Sequence, residues 1–147
     1  MPETIALDAL AARSGLAVPL LRQLEHAGLL LPVSDGEEPR YPAEDVEVLA
    51  AGLKLVEAGI PLGALMEVGA QHAAAVEETA RRAVDLFDRH VRERIQADEL
   101  PAREAEHRLL QTFQELMAAS GTLVRHHFQR ALLRAARKRI EKSDRRS

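Results

Sequence analysis

Six histidines and no cysteines bound the metal chemistry open to this chain. A structural or catalytic metal site needs three or four convergent ligands. His126 and His127 are adjacent, so on a helix their side chains diverge by about 100°. His72, His90 and His107 are scattered, and His26 falls in a separate N-terminal segment. No metal site is expected. Without thiols there is no disulfide and no cysteine nucleophile. The carboxylates Glu77-Glu78 and Glu104/Glu106 have the spacing of solvated helix faces. No glycine-rich loop could cradle a phosphate, and no serine sits on a recognisable nucleophile elbow. We expect neither catalysis nor a cofactor.

The arginines and lysines leave a different option, because their distribution is uneven. Residues 1–71 carry four Lys+Arg against eleven Asp+Glu, a net −7. Residues 72–124 carry seven against ten, a net −3. Residues 125–147 carry nine against two, a net +7. A basic end can meet DNA or an acidic partner, or be a solvated final helix whose cations favour the dipole end. An acidic first half is the wrong sign for a strong nucleic-acid binder.

These residues need elements to hold them. Apolar residues make up 46% of the 147 and aromatics only 3%, so the core must be Leu, Val and Ala, which favours helix packed on helix. Thr4 is expected to cap a first helix from Ile5 to Ser14-Gly15. A second helix is expected from Val18 to Ala27, with Leu20, Leu21 and Leu24 on one face and Gly28 as its stop. Leu29–Val33, the Asp35-Gly36 turn and Pro39-Arg40-Tyr41-Pro42 read as a small β-hairpin or wing. Ala43-Glu44-Asp45 opens a third helix ending at Ala58-Gly59. A short fourth helix starts around Pro61 and fades at Gly69. From His72 to Ala97, Val76, Ala80, Val84, Phe87, Val91 and Ile95 mark a long helix. Asp98 is expected to cap the next helix, with Leu109, Leu110, Phe113, Leu116 and Met117. Ser120-Gly121-Thr122 is either a turn or a kink before a last stretch carrying Val124, Phe128 and Leu132.

The order of motifs in Ile5–Gln71 carries a resemblance. Leu10-Ala11-Ala12-Arg13-Ser14-Gly15-Leu16-Ala17-Val18, then Leu21-Arg22, Glu25 and Gly28-Leu29-Leu30, resembles the opening of a MerR-type transcription regulator domain. Arg40-Tyr41-Pro42-Ala43-Glu44-Asp45-Val46 resembles the wing exit, and Val56-Glu57-Ala58-Gly59-Ile60-Pro61-Leu62 the closing signature. The resemblance implies a mainly α fold: a winged helix-turn-helix over residues 1–71, then a three-helix dimerisation and effector-sensing region over 72–147 with a long dimerisation-type helix. It implies a homodimer that binds promoter DNA through its second helix and wing. The matching DNA-binding positions are Arg13, Ala17, Val18, Pro19, Arg22, Gln23, Arg40 and Tyr41. Pro19 and Leu20 could meet thymine methyl groups or form an interface patch.

The alternative is a degenerate winged helix that binds a protein and has little or no DNA affinity, as the acidic tip at Asp35, Glu37 and Glu38 suggests. Phe87, Phe113 and Phe128 either line a pocket for a small apolar effector or are the large members of the helical core. Met1-Pro2-Glu3-Thr4 has no basic leader character, and no apolar run approaches the roughly 18 residues of a membrane span. A cytoplasmic location with no membrane partner is expected.

Overall fold

Gly15 and Gly28 stop the first two helices as their conformations allow. Both take positive φ, 76° and 80°, a region that glycine enters without steric cost. The computed structural model describes residues 3–34 and 36–146. Its element order is β1 (Thr4–Ala6), α1 (Leu7–Ser14), α2 (Val18–His26), β2 (Arg40–Pro42), α3 (Asp45–Glu57), α4 (Leu62–Phe87), a π-helical turn (Asp88–Arg92), α5 (Glu93–Ala97) and α6 (Ala102–Arg145). The protein is mainly helical, with one two-stranded sheet among the described residues. It divides into two compact units, Met1–Ala83 and Val84–Ser147, the division falling within α4.

In the first unit Thr4–Ala6 forms a strand, where a helix was expected from Ile5. β1 pairs antiparallel with β2, placing Thr4 opposite Pro42, Ile5 opposite Tyr41 and Ala6 opposite Arg40. Thr4 therefore does not cap α1. Its hydroxyl accepts a hydrogen bond from Arg40 Nε at 2.9 Å, and its carbonyl accepts one from Arg40 Nη2 at 2.7 Å. The expected hairpin is corrected in the same way. β2 takes its strand partner from residues 4–6, and residues 29–33 contribute one backbone bond, from the Val33 N–H to the Arg40 carbonyl at 2.9 Å. Asp35 of the expected turn lies outside the described residues.

Ile5, Leu10, Leu21, Leu30 and Tyr41 form the buried core, with Leu7, Leu16, Leu24, Val46 and Leu49 packed around it. One strand, both short helices, the following loop, β2 and α3 thus converge on one centre. α4 starts ten residues earlier than the long helix expected from His72, and Gly69 does not end a helix. Leu29 explains the glycine: a Cβ at Gly69 would stand 2.9 Å from Leu29 Cδ2 and 3.1 Å from Cδ1. Gly69 is a notch for Leu29 and not a stop.

In the second unit the end of α4, the π-helical turn and α5 pack against the start of α6. Ile95 is buried here, and Phe87 meets Phe113 edge to face with ring centroids 5.6 Å apart. Asp98 is not the cap of a new helix. Its N–H donates to the Arg94 carbonyl at the end of α5, and its carboxylate lies 3.7 Å from Arg108. Glu99 takes φ 49°, and Pro101 precedes α6. The three-helix expectation for residues 72–147 is also corrected. Ser120-Gly121-Thr122 neither turns nor ends the helix, and α6 runs unbroken for 44 residues, about 66 Å. Within it, the Thr122 hydroxyl donates to the Ala118 carbonyl at 3.2 Å.

Candidate nucleic-acid interface

α2 is short, but its two sides differ sharply. Leu21 is completely buried and Leu24 packs beside it, so this side fixes the helix to the core. Pro19, Arg22, Gln23 and His26 are exposed on the other side. Pro19 occupies the first turn, where its missing N–H leaves no intrahelical bond unmade. Ala17, just before α2, is exposed, and Val18 is half-buried at its start. The sequence positions Ala17, Pro19, Arg22 and Gln23 therefore share one accessible ridge.

The remaining positions separate from that ridge. Arg13 ends α1 and lies 3.8 Å from Glu3 in an exposed ion pair. Arg40 is exposed but spends two N–H donors on Thr4. Tyr41 is corrected outright as a DNA-contacting side chain. It is 0% exposed, and its hydroxyl donates to Glu25 Oε2 at 3.0 Å. Tyr41 is a core residue that ties β2 to α2. Sequence reasoning missed both Glu25 and Thr4 as partners. Only their spacing from Tyr41 and Arg40, sixteen and thirty-six residues away, could have suggested them.

The Tyr41 environment is electrostatically marked. Burial of the ring, then its hydrogen bond to Glu25 and the charge of that carboxylate, push the phenol up to about 12, against a smaller opposing pull from Arg22. Folding thus favours the protonated phenol. The stabilisation is complete below the unfolded value near 10 and is lost as pH rises toward 12. Two pH units correspond to about 2–3 kcal/mol. Tyr41→Phe should flatten the fall in stability between pH 10 and 12, read by urea unfolding at each pH. A fall as steep as wild type would show that another group governs that limb.

No family model, curated protein or solved structure matches the chain. The site therefore rests on its own geometry.

Two apolar hollows accompany the ridge, one in each unit. In the first, Leu20, Leu24, Leu49, Leu53, Leu65 and Met66 are among the walls of a groove between α2, α3 and α4. In the second, Val84, Phe87, Leu109, Leu110 and Phe113 line an open hollow. Phe87 and Phe113 meet there edge to face. Phe128 stands fifteen residues further along α6, about 22 Å away, and does not line it. Among the described residues, no group of three or more His, Asp or Glu is placed to hold a metal ion. No helix among them is long and apolar enough to cross a membrane.

Proposed function

We propose that this protein is a dimeric, cytoplasmic transcription regulator of the MerR-like type, whose first unit is a winged helix-turn-helix. The observation carrying the reading is α2: held by Leu21 from behind, it presents Pro19, Arg22 and Gln23 outward. A helix of this width fits the major groove, and Arg22 has the donor geometry for a guanine edge. The loop from Leu31 to Pro39, beside β2, is the wing, and the Phe87–Phe113 hollow is the place for a small apolar effector. Fluorescence anisotropy against the chain's own upstream promoter fragment and a scrambled fragment, at several salt concentrations, tests the reading. Selective binding that weakens with salt supports it, and equal or absent binding at low salt overturns it.

A second reading has one specific observation behind it. Glu37 and Glu38 are exposed on the wing, where phosphate contact calls for cations. On this reading the winged helix holds a protein partner and not DNA. Reversing both to Lys should then create or raise DNA affinity by about tenfold, with a steeper salt dependence. An unchanged affinity would remove wing charge as the obstacle.

A further inference from the structure

The cations late in α6 stand where they weaken the helix that carries them. Earlier in the chain, arginines have a carboxylate one turn before them. Arg81 lies 3.8 Å from Glu77, Arg82 3.1 Å from Glu78, and Arg92 3.2 Å from Asp88. In α6 the residue four before Arg134 is Arg130, and the residue four before Lys138 is Arg134. Like charges at that spacing destabilise a helix. Among the described residues, no ion pair holds these three or Arg137. The helix dipole does not account for them. Its field fades within the last turn, and Arg134 stands three turns before Arg145.

Their direction is shared. At about 100° per residue, Arg130, Arg134, Arg137, Lys138 and Arg145 fall within an arc of about 100°, along about 22 Å of helix. Glu141 is the one acid inside that arc. Val124, Phe128, Leu132, Leu133, Ala136 and Ile140 spread over the other half of the circumference, together with Arg125 and Arg139. All of these residues are exposed.

A row of cations on one helix face matches a row of anions. A duplex presents about one phosphate charge per 1.7 Å of its axis, and each cation that meets a phosphate releases a counterion. An anionic bilayer fits less well. A helix lying with its apolar side in lipid would turn these cations toward water. The chain has no Trp, and its one Tyr is Tyr41, so no interfacial aromatic anchors α6.

We propose that this face of α6 is a sequence-independent binding surface for the duplex backbone, built from residues other than those of α2 and the wing. It supplies the cations that residues 1–71, at net −7, lack. The proposal rests on DNA being the partner, as in the function proposed above, but not on any base being read.

Two full-length double variants of equal charge test it. Arg134→Gln with Arg137→Gln removes two cations from the face, and Arg125→Gln with Arg139→Gln removes two from the other side. Binding to the promoter fragment and to its scrambled counterpart is followed by fluorescence anisotropy from about 50 to about 200 mM salt. The first pair should lower both affinities by the same factor, at least about tenfold, and reduce the salt slope by about two. The second pair should stay close to wild type. Equal effects from the two pairs would assign the binding to net charge and overturn the proposal. So would a first pair that binds as wild type does, or a wild type that binds no duplex at the lowest salt. In that last case, retention on phosphatidylglycerol vesicles would assign the face to a membrane. A wild type with equal affinity for both fragments would remove the promoter function, while loss of that affinity in the first pair alone would still support the surface.

Discussion

Replacing Tyr41 by Ala should cost the first unit about 3–5 kcal/mol, the range for removing a large aromatic from a packed core. Tyr41 is fully buried among Ile5, Leu10, Leu21 and Leu30. It also holds the only ring in that cluster, so no neighbouring aromatic can swing in to fill the space. The truncation leaves Glu25 without its phenol donor as well. Tyr41→Phe keeps the ring and removes only the hydrogen bond, which at neutral pH should cost about 0.5–1.5 kcal/mol. Denaturant unfolding of both variants separates the packing share from the hydrogen-bond share. Equal losses in the two would mean that the Glu25 bond, and not the ring, carries the contribution.

The second large effect concerns recognition. If the proposed DNA-binding function holds, Arg22→Ala should lower promoter affinity by about 1–3 kcal/mol, roughly five- to 150-fold, and should relax preference at one base position. Arg22 is exposed, and its side chain is not part of the buried core. Fold stability should therefore move by less than about 0.5 kcal/mol. Arg13→Ala provides the contrast. Arg13 sits at the end of α1 beside Glu3, and its loss should weaken binding evenly across sequences if it meets only phosphate. Competition against single-base variants of the promoter fragment distinguishes the two patterns. An Arg22→Ala protein that kept full affinity and selectivity would remove α2 as the reading helix.

The parts of the fold governed by local chemistry were legible in the sequence. Gly15, Gly28 and Gly59 end their helices with positive φ, as their positions suggested. α2 and α3 fall within a residue or two of the expected bounds. What escaped depends on distant partners. Thr4-Ile5-Ala6 is too short to declare itself a strand, and its pairing residues lie beyond two helices and a loop. Tyr41, next to an Arg and a Pro, reads as an exposed loop residue until Glu25 is placed beneath it. Gly69 and Gly121 both look like helix stops, because glycine inside a helix costs about 1 kcal/mol against alanine. At Gly69 the reason is Leu29, forty residues earlier. The candidate ridge was legible for Ala17, Pro19, Arg22 and Gln23, whose outward direction follows from the buried phase of Leu21. It was not legible for Arg40, whose donors are committed to a strand that the local pattern does not reveal.

The Leu29–Gly69 contact also has a mechanical side. Leu29 follows the residue that ends α2, and its branched tip sits in the only place along that stretch of α4 where a side chain is missing. On the same face of α4, one turn further along, Ala73 presents a methyl group, and one turn back stand Leu65 and Met66. Gly28 adds a second point of contact, its Cβ site lying 3.6 Å from Ala73 Cβ. Leu29 thus acts as a pawl and Gly69 as its tooth. Within the first unit, α4 cannot ratchet along its axis past the end of α2 without lifting that pawl, so the two helices are registered as well as packed.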